Sequence, residues 1–234
     1  MNWSGRFVFG PAWAAYRGPA DDNSPHAHAA LQLAFGLEED VRLYLAPGDE
    51  RCAPGFLVQA GVLHAILSRG TVGLIYIEPQ TRLARVLLDA IGEGAATPLP
   101  ANLLDHLDRQ ANPEAWLQAL QTLFSSANHR RLDARLAQAL RRLADQPTLA
   151  LAEVARGCGV SPSHLRELAR TQLGLPLSTW LLWRKLERTV REISAGAGLA
   201  EAAITGGFAD QAHFARTMRR MFGVTPGAVK SMIG

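Results

Sequence analysis

The chain has 234 residues, 48% hydrophobic and 19% charged, a globular composition that excludes a disordered chain and leaves room for one or two domains. Two cysteines, Cys52 and Cys158, exclude a disulfide framework and a thiolate zinc site, and fit a reducing cytosol. The net charge of +3 hides an asymmetry: residues 1–112 carry 8 Lys+Arg against 12 Asp+Glu, while residues 146–234 carry 11 against 6. An acidic first half and a basic second half predict two domains, only the second of which meets a polyanion.

No run approaches ~18 consecutive apolar residues, so no membrane span is expected. The apolar start Phe7–Ala14 is interrupted by Gly10 and Pro11 and preceded by a single Arg, so it is not expected to be a secretion signal. Residues 7–78 read as short strands. Leu31–Phe35 and Val41–Leu45 alternate, Gly55–Val58, Val62–Ile66 and Val72–Ile77 are apolar runs, and Pro47-Gly48-Asp49, Pro54-Gly55 and Arg69-Gly70 mark turns. That spacing predicts a β barrel or sandwich.

From about residue 79 the period becomes helical. Leu83, Val86, Leu87 and Ala90 form one stripe, and Leu103, Leu104 and Leu107 a second. Asn112-Pro113-Glu114 is a helix start, with Asn as cap, Pro in the first turn and an acid at the positive dipole end. Its helix carries Trp116, Leu117, Leu120, Leu123 and Phe124 on one face; Leu132, Leu136, Leu140 and Leu143 form the next stripe. Gln146-Pro147-Thr148 breaks the pattern and marks the domain boundary.

The basic half contains a pattern twice. In the first copy Leu151, Val154 and Ala155 form a short apolar face, Gly157 and Gly159 release the backbone, Val160 plugs the turn, and Ser161-Pro162 caps and starts a second helix. In that helix Leu165, Leu168 and Ala169 face inward, and Ser163, His164, Arg166, Glu167 and Arg170 face outward. In the second copy Leu199, Ala202, Ala203 and Ile204 make the short helix, Gly206-Gly207 the turn, Phe208 the plug and Asp210 the cap. Phe214, Met218 and Phe222 then point inward, and Gln211, Ala212, His213, Arg216, Arg219 and Arg220 outward. Leu165 matches Phe214 and Ala169 matches Met218 at a constant offset of 49. This is the grammar of two helix-turn-helix units, joined by a helix over Leu177–Ile193.

The run Gly207-Phe208-Ala209-Asp210-Gln211-Ala212-His213-Phe214-Ala215-Arg216-Thr217, followed by Phe222-Gly223-Val224-Thr225-Pro226, resembles the signature of the AraC/XylS family of transcription regulators. Val160–Leu165 and Gly174-Leu175-Pro176 support it, and the resemblance covers about 147–234. It implies a domain whose two recognition helices read adjacent major grooves of double-stranded DNA. Carried over by position, Ser163, Arg166 and Glu167, then Gln211, Ala212, His213 and Arg216, are candidate base readers. Arg suits guanine, Gln suits adenine and Glu suits cytosine. His164 lies on the same face, and Arg170, Arg219 and Arg220 are candidate phosphate contacts. The sequence departs from the family at Ala169 and Met218, where Phe is usual, and at Val229 and Lys230, where an aromatic and an Arg are commoner.

Many family members carry a cupin-like barrel before this domain. Pro25-His26-Ala27-His28-Ala29-Ala30-Leu31-Gln32 resembles the first cupin motif, with Gln32 in place of Glu, and Gly61-Val62-Leu63-His64 resembles the second. Three readings of these residues stay open. His26, His28 and His64 could hold a divalent metal (Zn, Fe or Mn). They could line an effector pocket with Gln32, Trp13 and Tyr44, to which Tyr16 and Phe35 are further aromatic candidates. They could also be purely structural. No Glu completes the motif and no nucleophile–base pair accompanies it, so no enzyme is expected.

The expected fold is α+β: a cupin-like, ligand-sensing β barrel over 1–98, a helical dimerisation or linker segment over 99–146, and an all-α DNA-binding domain with two helix-turn-helix units over 147–234. The expected protein is a cytoplasmic, effector-controlled, homodimeric transcription regulator that contacts RNA polymerase if it activates. A metal-binding cupin with a DNA-binding tail and a ligand-independent regulator are the alternatives.

Overall fold

The computed structural model describes residues 3–21, 23–92 and 94–233. Nine strands come first: β1 (Arg6–Gly10), β2 (Trp13–Pro19), β3 (Leu31–Gly36), β4 (Val41–Leu45), β5 (Asp49–Ala53), β6 (Gly55–Val58), β7 (His64–Ile66), β8 (Thr71–Ile77) and, after helix α1 (Arg82–Ile91), β9 (Ala96–Pro98). They form two antiparallel sheets, of order β1-β2-β8-β3-β6-β9 and β5-β4-β7. An isolated bridge between His26 and His64 ties the segment before β3 to the smaller sheet. Phe7–Ala14, the apolar start, is built into the β1–β2 hairpin.

The helices that follow are α2 (Ala101–Leu104), α3 (Pro113–Leu123), α4 (Ala134–Asp145), α5 (Leu151–Gly157), α6 (Pro162–Leu173), α7 (Leu177–Ser194), α8 (Leu199–Thr205), α9 (Gln211–Phe222) and α10 (Pro226–Ile233). The predicted caps are present. Asn112 Oδ1 accepts from Ala115 N, Ser161 Oγ from His164 N and Asp210 Oδ1 from His213 N, satisfying donors that the first turn leaves free. Gly174 and Gly223 end α6 and α9 in the left-handed region. The Leu132 stripe is shorter than expected: Asp133 caps the helix, so Leu132 precedes it. Ile204 is 58% exposed and does not join the apolar face of α8.

The central strands β3, β6 and β8 of the larger sheet are buried on both faces. Leu31, Leu33 and Phe35 of β3, with Ile75 and Ile77 of β8, pack under α1, α2 and α3. The alternate residues, among them Ala34, Leu74 and Tyr76, face the second sheet. The inner core runs without a break into the core of α4–α10. The helical segment 99–146 is therefore divided. α2 and α3 roof the sheet, with Trp116 edge-on to Phe35 at 4.8 Å, and α4 packs on α5 and α6.

Candidate DNA interface and histidine cluster

The second helix of each helix-turn-helix unit presents its outward residues to solvent. On α6, Ser163, His164, Arg166, Glu167 and Arg170 are exposed, and Arg170 is ion-paired to Glu167. On α9, Gln211, Ala212, Arg216, Arg219 and Arg220 are exposed. Among the described residues no carboxylate pairs with Arg166, Arg216 or Arg219. His213 is half-buried, edge-on to the turn plug Phe208 at 5.2 Å. Arg220 borders the seam between the two halves: its carbonyl accepts from Ala27 N at 3.4 Å, and its side chain lines a cavity shared with Pro25, Ala27 and Pro176. α7 connects the two units over 18 residues, roughly 27 Å of helix. Gly206 is needed where α8 meets α7, because a Cβ there would fall 1.8 Å from Thr189 Oγ1.

Residues 154–232 match the family model described as a helix-turn-helix domain, which covers both units and the helix between them. The C-terminal part of the chain is a helix-turn-helix domain of the AraC type. No curated protein matches the sequence. Among solved structures, apo ToxT from Vibrio cholerae is similar at TM-score 0.63 and 9% identity, covering 96% of this chain and 99% of that one. A second ToxT crystal form matches at TM-score 0.60 and 14% identity, covering 94% and 97%. A ToxT structure with bound unsaturated fatty acid matches at 0.59 and 12%, covering 99% and 97%. At these identities the likeness is one of fold, and it spans both domains. No helix among the described residues is long and apolar enough to cross a membrane.

The three motif histidines meet. His26 and His28 come from the segment before β3 and His64 from β7. All are buried, and one ring nitrogen from each lies within 4.8 Å of the others. Each Nδ1 faces a backbone carbonyl: His26 to Ser24 at 3.0 Å, His28 to Ala30 at 2.8 Å and His64 to Val62 at 2.9 Å. A carbonyl only accepts, so each Nδ1 carries the proton. Burial pushes the pKa of His26 down to about 3 and those of His28 and His64 below the usual value. Repulsion from His64 adds to the shifts of His26 and His28. All three rings are therefore neutral, with a lone pair on Nε2. Gln32 Oε1 faces Nε2 of His28 at 3.1 Å and of His64 at 2.8 Å, and Gln32 Nε2 donates to the Tyr76 hydroxyl at 3.2 Å.

Two of the six residues grouped with this cluster from sequence lie elsewhere. Tyr44 shares the outward face of β4 with Arg42, because Val41, Leu43 and Leu45 take the buried face. Trp13 lines a cleft against α7 with Phe9, Glu78 and Trp183. Of the further aromatic candidates, Tyr16 does line an inner cleft, whereas Phe35 points to the opposite side of the sheet, under Trp116.

The rings that do surround the cluster come partly from the C-terminal half. Phe222, the last residue of α9, lies 6.3 Å from His28, 5.7 Å from Tyr76 and 5.3 Å from Trp183. Sequence reasoning placed Phe222 only in the domain's own core and left Tyr76 and Trp183 without a role. The available signal was the α9 stripe of Phe214, Met218 and Phe222, whose last ring ends the helix next to Gly223.

A polar latch lies beside these rings. Glu78, 1% exposed at the end of β8, accepts from Trp183 Nε1 at 3.1 Å and from Arg184 Nη1 at 2.8 Å. Arg184 also pairs with Glu187, which pairs with Arg191 at 2.6 Å. Burial, and then the Glu78 charge, hold the Glu187 carboxyl above its usual range.

Proposed function

We propose that this regulator is cytoplasmic and sequence-specific, and that a small apolar effector controls how its DNA-binding domain docks on the β domain. The observation that carries the proposal is Phe222. It ends the second recognition helix and forms a wall of two apolar clefts in the seam, one with Tyr16, Tyr76 and Met218, the other with Phe9, Trp13 and Trp183. Each cleft holds only about 50 Å³, room for a few waters and not for an organic ligand. An effector that binds in these clefts enters by displacing Phe222, and its binding energy biases the position of α9. A ligand shifts such an equilibrium only through its differential affinity for the two arrangements.

The ligands of the ToxT structures, an unsaturated fatty acid and a naphthalenyl-butenoic acid, support an effector with an apolar body. The base readers in this proposal are Ser163, Arg166, Glu167, Gln211, Ala212 and Arg216. Arg170 and Arg219 are phosphate contacts, and His213 supports the turn. A homodimer, and RNA polymerase contact in the case of activation, complete the reading.

A thermal-shift screen of aliphatic and aryl carboxylic acids, followed by DNA-binding titrations, tests it. A ligand that binds the native state raises the melting temperature by mass action. It should also change DNA affinity, and Phe222→Trp, which fills the clefts, should abolish both effects. Ligands that bind with no change in DNA affinity would contradict the proposal.

A further inference from the structure

We infer that the indole N–H of Trp3 is the polar anchor of the effector site: it donates to a carbonyl or carboxyl oxygen on an otherwise apolar ligand, so Trp3 selects for ligands that carry an acceptor. The inference rests on the proposed docking control and names the chemistry that the same cleft recognises.

A donor left without a partner carries it. Trp3 is 6% exposed, and its Nε1 is sealed from solvent with no hydrogen-bond acceptor among the described residues. The other buried indoles are all satisfied. Trp116 Nε1 donates to the Asp108 carbonyl at 2.6 Å, Trp180 Nε1 to Gln80 Oε1 at 3.1 Å and Trp183 Nε1 to Glu78 Oε1 at 3.1 Å. A buried tryptophan usually finds such a partner, because a desolvated donor without one forfeits the free energy of the missing bond. The Trp3 ring lies tilted against Tyr16 at 5.2 Å, and both rings line the cleft that Phe222 closes.

The rest of that cleft offers a ligand oxygen little else. The Tyr16 hydroxyl accepts from Gly5 N at 3.1 Å and donates to the Pro19 carbonyl at 2.9 Å. The Tyr76 hydroxyl is taken by the Gln32 amide at 3.2 Å, and Asn23 Oδ1 accepts from Ile66 N at 3.0 Å. Phe7, Leu74, Val190 and Met218 supply apolar wall. A water in the cleft's 50 Å³ would bond the indole and find few further partners, whereas settled waters make about three bonds. Displacing so poorly held a water favours the ligand. An acceptor oxygen on an apolar body then completes the bond that Trp3 leaves unmade, and the same body without the oxygen keeps that N–H orphaned. Ketones, esters and carboxylic acids with an aryl or alkyl body are the class that fits.

The test is calorimetric titration of the full chain with acetylnaphthalene and with isopropenylnaphthalene, in which a methylene replaces the carbonyl oxygen on the same body. Both are titrated into the wild type and into Trp3→Phe, which keeps an aromatic ring and deletes the donor. Any change in cleft size moves both ligands alike and cancels in the cycle. The inference expects the ketone-to-hydrocarbon affinity ratio to fall about tenfold in Trp3→Phe. In the wild type, one of the five indole N–H resonances should move downfield with the ketone and not with the hydrocarbon, and should persist in Trp13→Phe. Melting of ligand-free Trp3→Phe checks that it is folded, and the indole resonances decide the matter if it is not. An unchanged ratio, no binding of the ketone to the wild type, or indole resonances that respond alike to both ligands overturns the inference. The screened acids report on docking separately: acids that bind and change DNA affinity while the ratio stays fixed leave the docking proposal standing and remove only the Trp3 bond.

Discussion

Gly223 closes the second recognition helix against His26. With φ at +71° it takes the left-handed conformation, and a Cβ there would lie 2.8 Å from the Ser24 carbonyl, 2.9 Å from the Asn23 side chain and 3.1 Å from His26 Nδ1. The residue that ends the helix is thus also the residue that seats it on the β domain. Gly174 ends the other recognition helix with nearly the same φ, +73°, yet its Cβ position is open.

That difference gives a matched pair. Gly174→Ala should cost about 1 kcal/mol, the strain of a left-handed side chain. Gly223→Ala should cost clearly more and expose the connection between α3 and α4, residues 124–133, to protease. Urea unfolding and limited proteolysis of both variants check this; equal effects would mean that the seam does not constrain Gly223.

The outward arginines should separate by role. Arg216→Ala should cost about 1–3 kcal/mol and relax preference at one base pair, whereas Arg219→Ala should weaken all sequences alike and reduce the salt slope by about one. Glu167→Gln should release Arg170 and raise affinity for random DNA, since the only carboxylate on the exposed face of α6 is then gone. Titrations against a base-substitution panel at several salt concentrations distinguish these outcomes.

Glu78 is the polar anchor of the seam. Glu78→Ala leaves the Trp183 indole N–H without its acceptor and removes one of the two carboxylates on Arg184. Losing one partner of a buried pair costs about 3–5 kcal/mol, and Glu187 retaining Arg184 should hold the cost to the low end of that range. Denaturant melts should show the loss, with the two domains separating into distinct transitions.

The histidine cluster sets a pH dependence in metal-free protein. All three imidazoles have folded pKa values below the unfolded value of about 6.5. The unfolded chain therefore binds more protons in this range, and stability rises with pH. The contribution is complete above about pH 6.5 and is lost progressively as pH falls toward the depressed folded values. Thermal melts between pH 7.5 and 5 with chelator present should show this, and His64→Asn should flatten the curve.

Much of the C-terminal domain was legible because its signals are local. Ser161-Pro162 and Asp210 start helices, Gly174 and Gly223 stop them, and the offset of 49 exposes the repeat. The histidine cluster was legible from two short motifs. The seam was not, because periodicity identifies a buried face and not the surface that buries it. β3 shows the limit within one strand: Leu33 and Ala34 are both fully buried, one under helices and one against the other sheet, so an apolar run hides which side faces the cluster. For Tyr44 the parity of Val41, Leu43 and Leu45 was already visible and pointed it outward.

The central claim is that this chain reads DNA specifically. Fluorescence anisotropy of the full-length protein on its own upstream intergenic DNA, against random duplex over a salt series, tests it most directly. The account predicts a steep salt slope on both and tighter binding to the upstream fragment; absence of binding at low salt would contradict it.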